Sequence, residues 1–139
     1  MITLKDIRIA VNQQLAKTGI GINSRDVQEG FDRPSFFVQL TNNTRSGYEE
    51  QVHRSVTVQI YYFPSDRHEY AIEVLNMQET LEELFDLKLA VKDRLLNVDE
   101  FSSSLVDGVL NCQFDLEFYD GKIDDEDVEL MEELHISRE

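Results

Sequence analysis

The sequence has few of the residues that stabilise small extracellular proteins or build metal sites. Its 139 residues include one cysteine, two prolines and no tryptophan. A single cysteine, Cys112, excludes an intramolecular disulfide framework and predicts a reducing compartment. The three histidines, His53, His68 and His135, lack the short spacing from cysteine that zinc sites require. The sequence therefore predicts no zinc site.

Basic residues are also scarce. The chain has 13 Lys and Arg against 28 Asp and Glu, which gives a formal net charge of -15. Proteins bind nucleic acid by replacing the counterions of phosphate with Lys and Arg, so this balance argues against nucleic-acid binding. Two readings stay open, namely an ordinary acidic surface or a surface that repels or mimics DNA.

Long apolar runs are absent as well. No run approaches the roughly 20 residues of a transmembrane helix. The first residues enter a helical pattern directly, without the apolar core of a signal peptide. We therefore expect a protein of the cytosol, with no membrane partner. The length predicts one domain over residues 1–139, with an acidic C-terminal segment at residues 124–139.

Catalytic and cofactor motifs are missing too. No phosphate-binding loop is present, and Gly19 and Gly21 lack the third glycine and the preceding strand of a dinucleotide fingerprint. Cys112 occupies one of the alternating apolar positions of the predicted strand at 109–119, which predicts a buried structural thiol and not a nucleophile. The acidic run at residues 124–127 lacks the spacing of a calcium loop. We therefore expect no enzyme and no cofactor.

Apolar and polar residues alternate along residues 34–40, 56–63 and 109–119. Successive side chains of a strand point to opposite faces, so each stretch predicts a half-buried strand. Turn-forming residues at 42–47 predict a hairpin between the first two strands. Further elements are predicted as an edge strand at 22–27, short strands at 87–91 and 94–98, a polar connection at 99–104 and a turn or bulge at 107–108.

Two segments have helical periodicity. Thr3 and Asp6 resemble a capping box, and apolar residues follow at helical spacing until Gly19 and Gly21. A second helix is predicted to start at residues 64–66 and to continue to Phe85. The last residues fit either a short helix or a final strand. Together these elements predict an α+β fold with a mostly antiparallel sheet, a long β-hairpin and helices packed on one face.

Four short sequence segments, together with the order of the predicted helices and strands, resemble the tail terminator family of phages and phage-derived tail particles, particularly those with contractile tails. They are QEGFDRPSFFV at 28–38, TVQIYYF at 57–63, VDGVL at 106–110 and MEEL at 131–134. The resemblance extends along nearly the whole chain. It implies a non-enzymatic hexameric ring on the last tail-tube ring. That ring stops tube polymerisation, holds the end of the sheath in contractile tails and presents a surface to the head–tail connector.

The resemblance also suggests roles for the polar residues. A cyclic ring needs one heterologous contact repeated until it closes, and the long strand at 109–119 is expected to pair with a neighbour's edge. DNA passes through such a ring without specific binding, which suits an acidic lumen. The candidates for subunit or tail-tube contact are Gln39, Thr41, Thr57, Gln59, Asn111 and Gln113; those for the lumen are Glu49, Glu50, Asp124, Asp125, Glu126 and Asp127.

The expected location is the head-proximal end of the virion tail, after assembly in the host cytoplasm. Three alternatives remain. Another head–tail joining protein would bind the connector ring and not the tube end. An acidic DNA-mimic inhibitor would bind a basic partner in a salt-dependent way. A ligand-binding module or enzyme would need a pocket between sheet and helices.

The polar side chains on one face of the predicted hairpin give a first prediction. Replacing Thr57 and Gln59 with lysine should leave the fold intact, because that face is not expected to be core. Sedimentation of the double variant would report whether ring assembly survives. Survival would move the contact elsewhere, first to the polar face of the strand at 109–119.

Overall fold

The computed structural model describes residues 1–23, 33–66 and 68–121. The strands of this part form one six-stranded sheet in the order β1-β2-β3-β6-β5-β4. β1 pairs in parallel with β2, and every other neighbouring pair is antiparallel. The elements are α1 (Leu4–Ala16), β1 (Gly21–Asn23), β2 (Ser35–Gly47), β3 (Gln51–Phe63), α2 (Ala71–Leu84), β4 (Lys88–Val91), β5 (Arg94–Val106) and β6 (Val109–Gly121).

The sheet is therefore mixed, which corrects the expectation of a mostly antiparallel one. The parallel pair was missed because β1 has only three residues, too few for a pattern that reveals strand direction. It occupies the edge position predicted for residues 22–27, of which 24–27 lie outside the described residues. The C-terminal segment from residue 122 onward, left open between helix and strand, also lies outside them.

One side of the sheet is buried with residues of both helices. β3 and β6 pair in a register that sets Val58 opposite Phe114 and Ile60 opposite Cys112. We call the side that carries these residues the core face and the opposite side the open face. The buried cluster joins Val38, Val58, Ile60, Cys112 and Phe114 of the strands to Ile7, Val11 and Leu15 of α1 and to Val74 and Leu81 of α2.

The start of α1 matches the prediction, whereas α2 starts later than predicted. Thr3 Oγ1 accepts from Asp6 N at 3.1 Å and Asp6 Oδ2 accepts from Thr3 N at 2.9 Å, a complete capping box. α2 begins at Ala71, and residues 64–66 precede it as a loop in which Ser65 is hydrogen-bonded to Glu73. Glu73 accepts hydrogen bonds from Ser65 N at 2.7 Å and from the hydroxyl of Tyr62. Desolvation opposes ionisation of Glu73, yet these bonds lower its pKa.

β2 and β5 are longer than the sequence predicts. Residues 42–47, predicted as a turn, continue β2 beyond a bulge where Asn42 has a φ of 51°. Residues 99–104, predicted as a polar connection, continue β5 beyond a bulge where Glu100 has a φ of 53°. Both predictions were wrong, because these stretches are largely exposed and lack the apolar alternation of a half-buried strand. The β2–β3 turn lies instead at residues 48–50, where Tyr48 N donates to Gln51 O at 2.8 Å.

The predicted turn at Asp107 and Gly108 is confirmed. These two residues join β5 to β6 between the paired Val106 and Val109. Their φ angles are 52° and 76°, and a two-residue type I′ turn needs positive φ at both positions. A Cβ atom on Gly108 would lie 3.3 Å from Tyr70 Cε1. Glycine therefore suits both the positive φ angle of this position and the short distance to the Tyr70 ring.

Replacing Gly108 with alanine should lower the free energy of unfolding by about 1–2 kcal/mol, the cost of the left-handed conformation for an L residue. Gly21→Ala is the matched control, since a Cβ there meets nothing within 4 Å and its φ is not positive. Urea unfolding followed by circular dichroism measures both. Equal stability of the two variants would show that the turn does not need glycine.

Candidate functional site

The described residues contain no arrangement typical of a metal centre. Within residues 1–23, 33–66 and 68–121, no group of three or more His, Cys, Asp or Glu side chains is placed to hold a metal ion. Cys112 is fully buried, and this burial, together with the charge of Glu82, raises the pKa of its thiol to about 12. The prediction that Cys112 is buried is confirmed. No helix in the part that the structure describes is long and apolar enough to cross a membrane.

All six predicted contact residues lie on the open face of three neighbouring strands, β2, β3 and β6. Gln39, Gln59 and Gln113 stand opposite one another in one row across these strands. Gln59 Nε2 donates to Gln113 Oε1 at 3.3 Å. We call these three residues the glutamine row. Thr41 and Thr57 form the next row on one side, and Asn111 lies on the other side, opposite Tyr61.

Thr57 is more enclosed than the sequence suggests. Its side chain and backbone together are only 8% exposed. Its hydroxyl donates to Asp115 Oδ1 at 2.7 Å and accepts from Asn42 Nδ2 at 3.5 Å. The expectation that Thr57 accepts lysine without harm to the fold is therefore corrected. Gln59 remains suitable for that test, because it is only partly buried.

Two polar atoms beside the glutamine row have no hydrogen bond. Thr41 Oγ1 and Asn111 Oδ1 are shielded from solvent and have no partner among the described residues. Leaving a buried polar atom unpaired costs about 1–3 kcal/mol. The open face thus has hydrogen-bonding capacity that the described part of the chain does not use.

The predicted lumen residues fall at one end of the sheet or outside the described residues. Glu49 and Glu50 are exposed in the β2–β3 turn. This turn lies beside the end of β6, because Gln51 pairs with Gly121. A groove of about 650 Å³ between the turn and β6 is lined by Glu49, Glu50 and Tyr119. The other candidates, Asp124, Asp125, Glu126 and Asp127, lie outside the described residues.

Asp120 connects three parts of the chain at this same end, and no sequence pattern predicted this role. Its Oδ2 accepts from Ile2 N at 2.6 Å, and its Oδ1 accepts from Arg94 Nη1 at 3.2 Å. Arg94 Nη2 also donates to Tyr119 O at 2.8 Å. Asp120 therefore holds the N-terminal residues and the start of β5 against the end of β6. Lone acidic residues near strand ends are common, so no sequence pattern singles it out.

The prediction that the long strand pairs with a neighbour's edge stays a prediction, and only the last residues of the strand have an uncovered side for it in the described part. β6 pairs with β3 from Leu110 to Gly121 and with β5 from Val109 to Leu116. Its backbone groups are thus engaged on both sides along the first half and on one side along the rest. β6 is therefore an interior strand over residues 109–116, whereas residues 117–121 pair only with β3 in the described part.

The comparisons with known proteins agree with a structural protein. A family model described as "Phage tail terminator protein" matches residues 6–128. The chain therefore belongs to the phage tail terminator family, which confirms the resemblance. No curated protein matches. Among the solved structures that match, one aligns at 14% identity over 89% of this chain and 99% of its own, with a TM-score of 0.39.

Family membership supports a structural role in the phage tail and a place in the virion tail. The family is structural and not enzymatic. Residue roles do not follow from membership, and the open face supplies the candidates.

The contrast between Thr57 and Gln59 gives a matched pair of variants. Thr57→Lys should lower the free energy of unfolding by about 1–3 kcal/mol, because it removes a buried hydroxyl and leaves Asp115 without its bond. Gln59→Lys should change it by less than about 0.5 kcal/mol, as expected for a substitution away from the core. Thermal and urea unfolding would measure both. A Thr57→Lys protein as stable as Gln59→Lys would contradict this account.

Proposed function

We propose that copies of this chain assemble into a hexameric ring on the last ring of the phage tail tube. The ring ends tube polymerisation and offers a surface to the head–tail connector. In a contractile tail it also holds the end of the sheath. The observation that carries the proposal is the tail terminator family match over residues 6–128. The assembled protein would lie at the head-proximal end of the tail, after assembly in the host cytoplasm.

The open face supports contact with other tail proteins. The glutamine row presents amide groups that both donate and accept hydrogen bonds, and Gln39 and Gln113 are exposed. Neutral amides suit a contact that must form on a strongly acidic protein, because they bring no like charges together. We propose Gln39, Thr41, Gln59, Asn111 and Gln113 as the surface for a neighbouring subunit or the tail tube. Thr57 supports this surface through its bond to Asp115.

The charge supports a channel for DNA. Each copy has a formal charge of -15, and a negative wall does not bind phosphate. Glu49 and Glu50 stand exposed in the β2–β3 turn. We propose that this turn, together with Asp124, Asp125, Glu126 and Asp127, faces the lumen, so that DNA passes without specific binding.

Light scattering and negative-stain images of the purified protein would test the ring. We expect six copies around a central hole, either free or on tail tubes. Adding the protein to growing tubes should arrest their length. A protein that stays monomeric in the presence of tubes, and leaves tube lengths unchanged, would overturn the proposal. Co-sedimentation with connector rings but not with tube ends would assign it to another head–tail joint.

The glutamine row is tested with Gln39→Lys/Gln113→Lys. Both residues are exposed on the open face, so the fold should tolerate lysine while contact through this surface weakens. We expect an unchanged circular dichroism spectrum and a loss of tube-length arrest. Glu79→Lys/Glu83→Lys, at exposed positions of α2, is the control and should arrest tubes as the unmodified protein does. Arrest by both variants would place the tube contact elsewhere.

A further inference from the structure

The sheet has two long strands whose outer edges are only partly covered. β1 covers residues 35–37 of β2, and residues 38–47 have no further strand beside them in the described part. β4 covers Arg94–Asn97 of β5, and residues 99–106 have none within the same described ranges. An uncovered strand presents unpaired N–H and C=O groups, to which another strand can add. The two uncovered stretches are of similar length and lie at opposite sides of the sheet.

The two edges differ in charge. The uncovered stretch of β2 contains Arg45 and no acidic residue, and Arg8 of α1 lies close to its start. The uncovered stretch of β5 contains Asp99 and Glu100 and no basic residue. In a chain with 13 basic and 28 acidic residues, a basic edge opposite an acidic edge is a complementary pair. Complementary charges favour the correct partner and the correct register.

Apolar residues accompany both edges. A groove of about 470 Å³ beside the edge of β2 is lined by Leu4, Phe37 and Leu40 together with Arg8. At the other edge, Leu105 is 47% exposed, with its side chain on the core face next to α2. The side chains of Gln78 and Ser103 bond at 2.6 Å, so α2 runs along this edge. Each edge therefore offers apolar contacts as well as backbone groups.

The strand directions also suit a ring. Three antiparallel pairings separate β2 from β5 across β3 and β6, so β5 runs opposite to β2. Rotation about an axis along the strands preserves strand direction and sheet face. The β5 edge of one copy therefore meets the β2 edge of the next as an antiparallel pair, with the core faces on the same side. Such a contact is heterologous, as a closed ring requires.

We infer that residues 99–106 of one copy add to residues 38–47 of the next in short ladders interrupted at the bulges of Asn42 and Glu100, so that the six-stranded sheets join into one continuous sheet around the ring. The occupant of each open edge is a second copy of this chain. This inference rests on the proposed ring and assigns its subunit contact. With the strands along the ring axis, every copy's open face lies on the same radial side of the ring, so the glutamine row is then left for a tail partner and is not the contact between neighbouring subunits.

Charge reversal on each edge tests the contact in the full-length protein. Asp99→Lys/Glu100→Lys makes both edges basic, and Arg45→Glu makes both edges acidic at the place where Arg45 meets Asp99 and Glu100 in an antiparallel contact. Either variant alone should need at least about tenfold more protein to assemble, because like charges then meet at every contact. In an equimolar mixture, each basic variant can sit between two acidic variants. Opposite charges then meet whether the basic variant contributes its β2 edge or its β5 edge to the contact. The mixture should form rings in which the two variants alternate, three copies of each.

Native mass spectrometry of the two variants and their mixture distinguishes the outcomes. Rings formed by either variant as readily as by the unmodified protein would overturn the edge contact and leave the proposed ring standing. A mixture that stays monomeric would also overturn it, since complementary edges would then fail to meet. Glu79→Lys/Glu83→Lys, matched in charge change to the first variant, should form rings normally. Absence of rings from the unmodified protein, even on tail tubes, would instead contradict the proposed function.

Discussion

The antiparallel pairing of β3 with β6 is the constraint on which the rest of the structure depends. Because strand side chains alternate, a slip of one residue would move Val58 to the open face and Gln59 into the core. The helices depend on the same register, since the cluster that buries their apolar residues is built around these two strands. The register also sets Gln59 beside Gln113. One alignment therefore specifies both the core and the polar surface proposed for assembly.

Elements that border the core could be predicted from the sequence, and elements beyond it could not. Alternation located the buried parts of β2, β3 and β6, and Thr3 with Asp6 located the start of α1. Residues 42–47 and 99–104 were misassigned because strands with two largely exposed faces have no apolar alternation and resemble connections. The late start of α2 follows a loop in which Ser65 is hydrogen-bonded to Glu73, a contact that helical periodicity does not encode.

The residues of the open face were likewise predicted only in part from the sequence. Alternation placed six candidate residues on one face, and the registers bring all six together. The enclosure of Thr57 depends on Asn42 at a bulge and on Asp115 from another strand, and local sequence reveals neither. Family membership names a class of protein, whereas strand order shows which edges are open. The long strand at 109–119 was expected to pair with a neighbour's edge because of its length and its polar side chains on one face, but it lies between β3 and β5 over residues 109–116.

The bulges at Asn42 and Glu100 bear on aggregation. A long, flat strand edge can recruit further strands without limit, and fibrils grow in this way. A bulge bends its strand and increases the local twist, so β2 and β5 each present two short segments in place of one flat ladder. A bulged edge is therefore a poorer template for unrelated strands than a flat edge. The kinks at Asn42 and Glu100 therefore limit open-ended strand addition along the two uncovered edges.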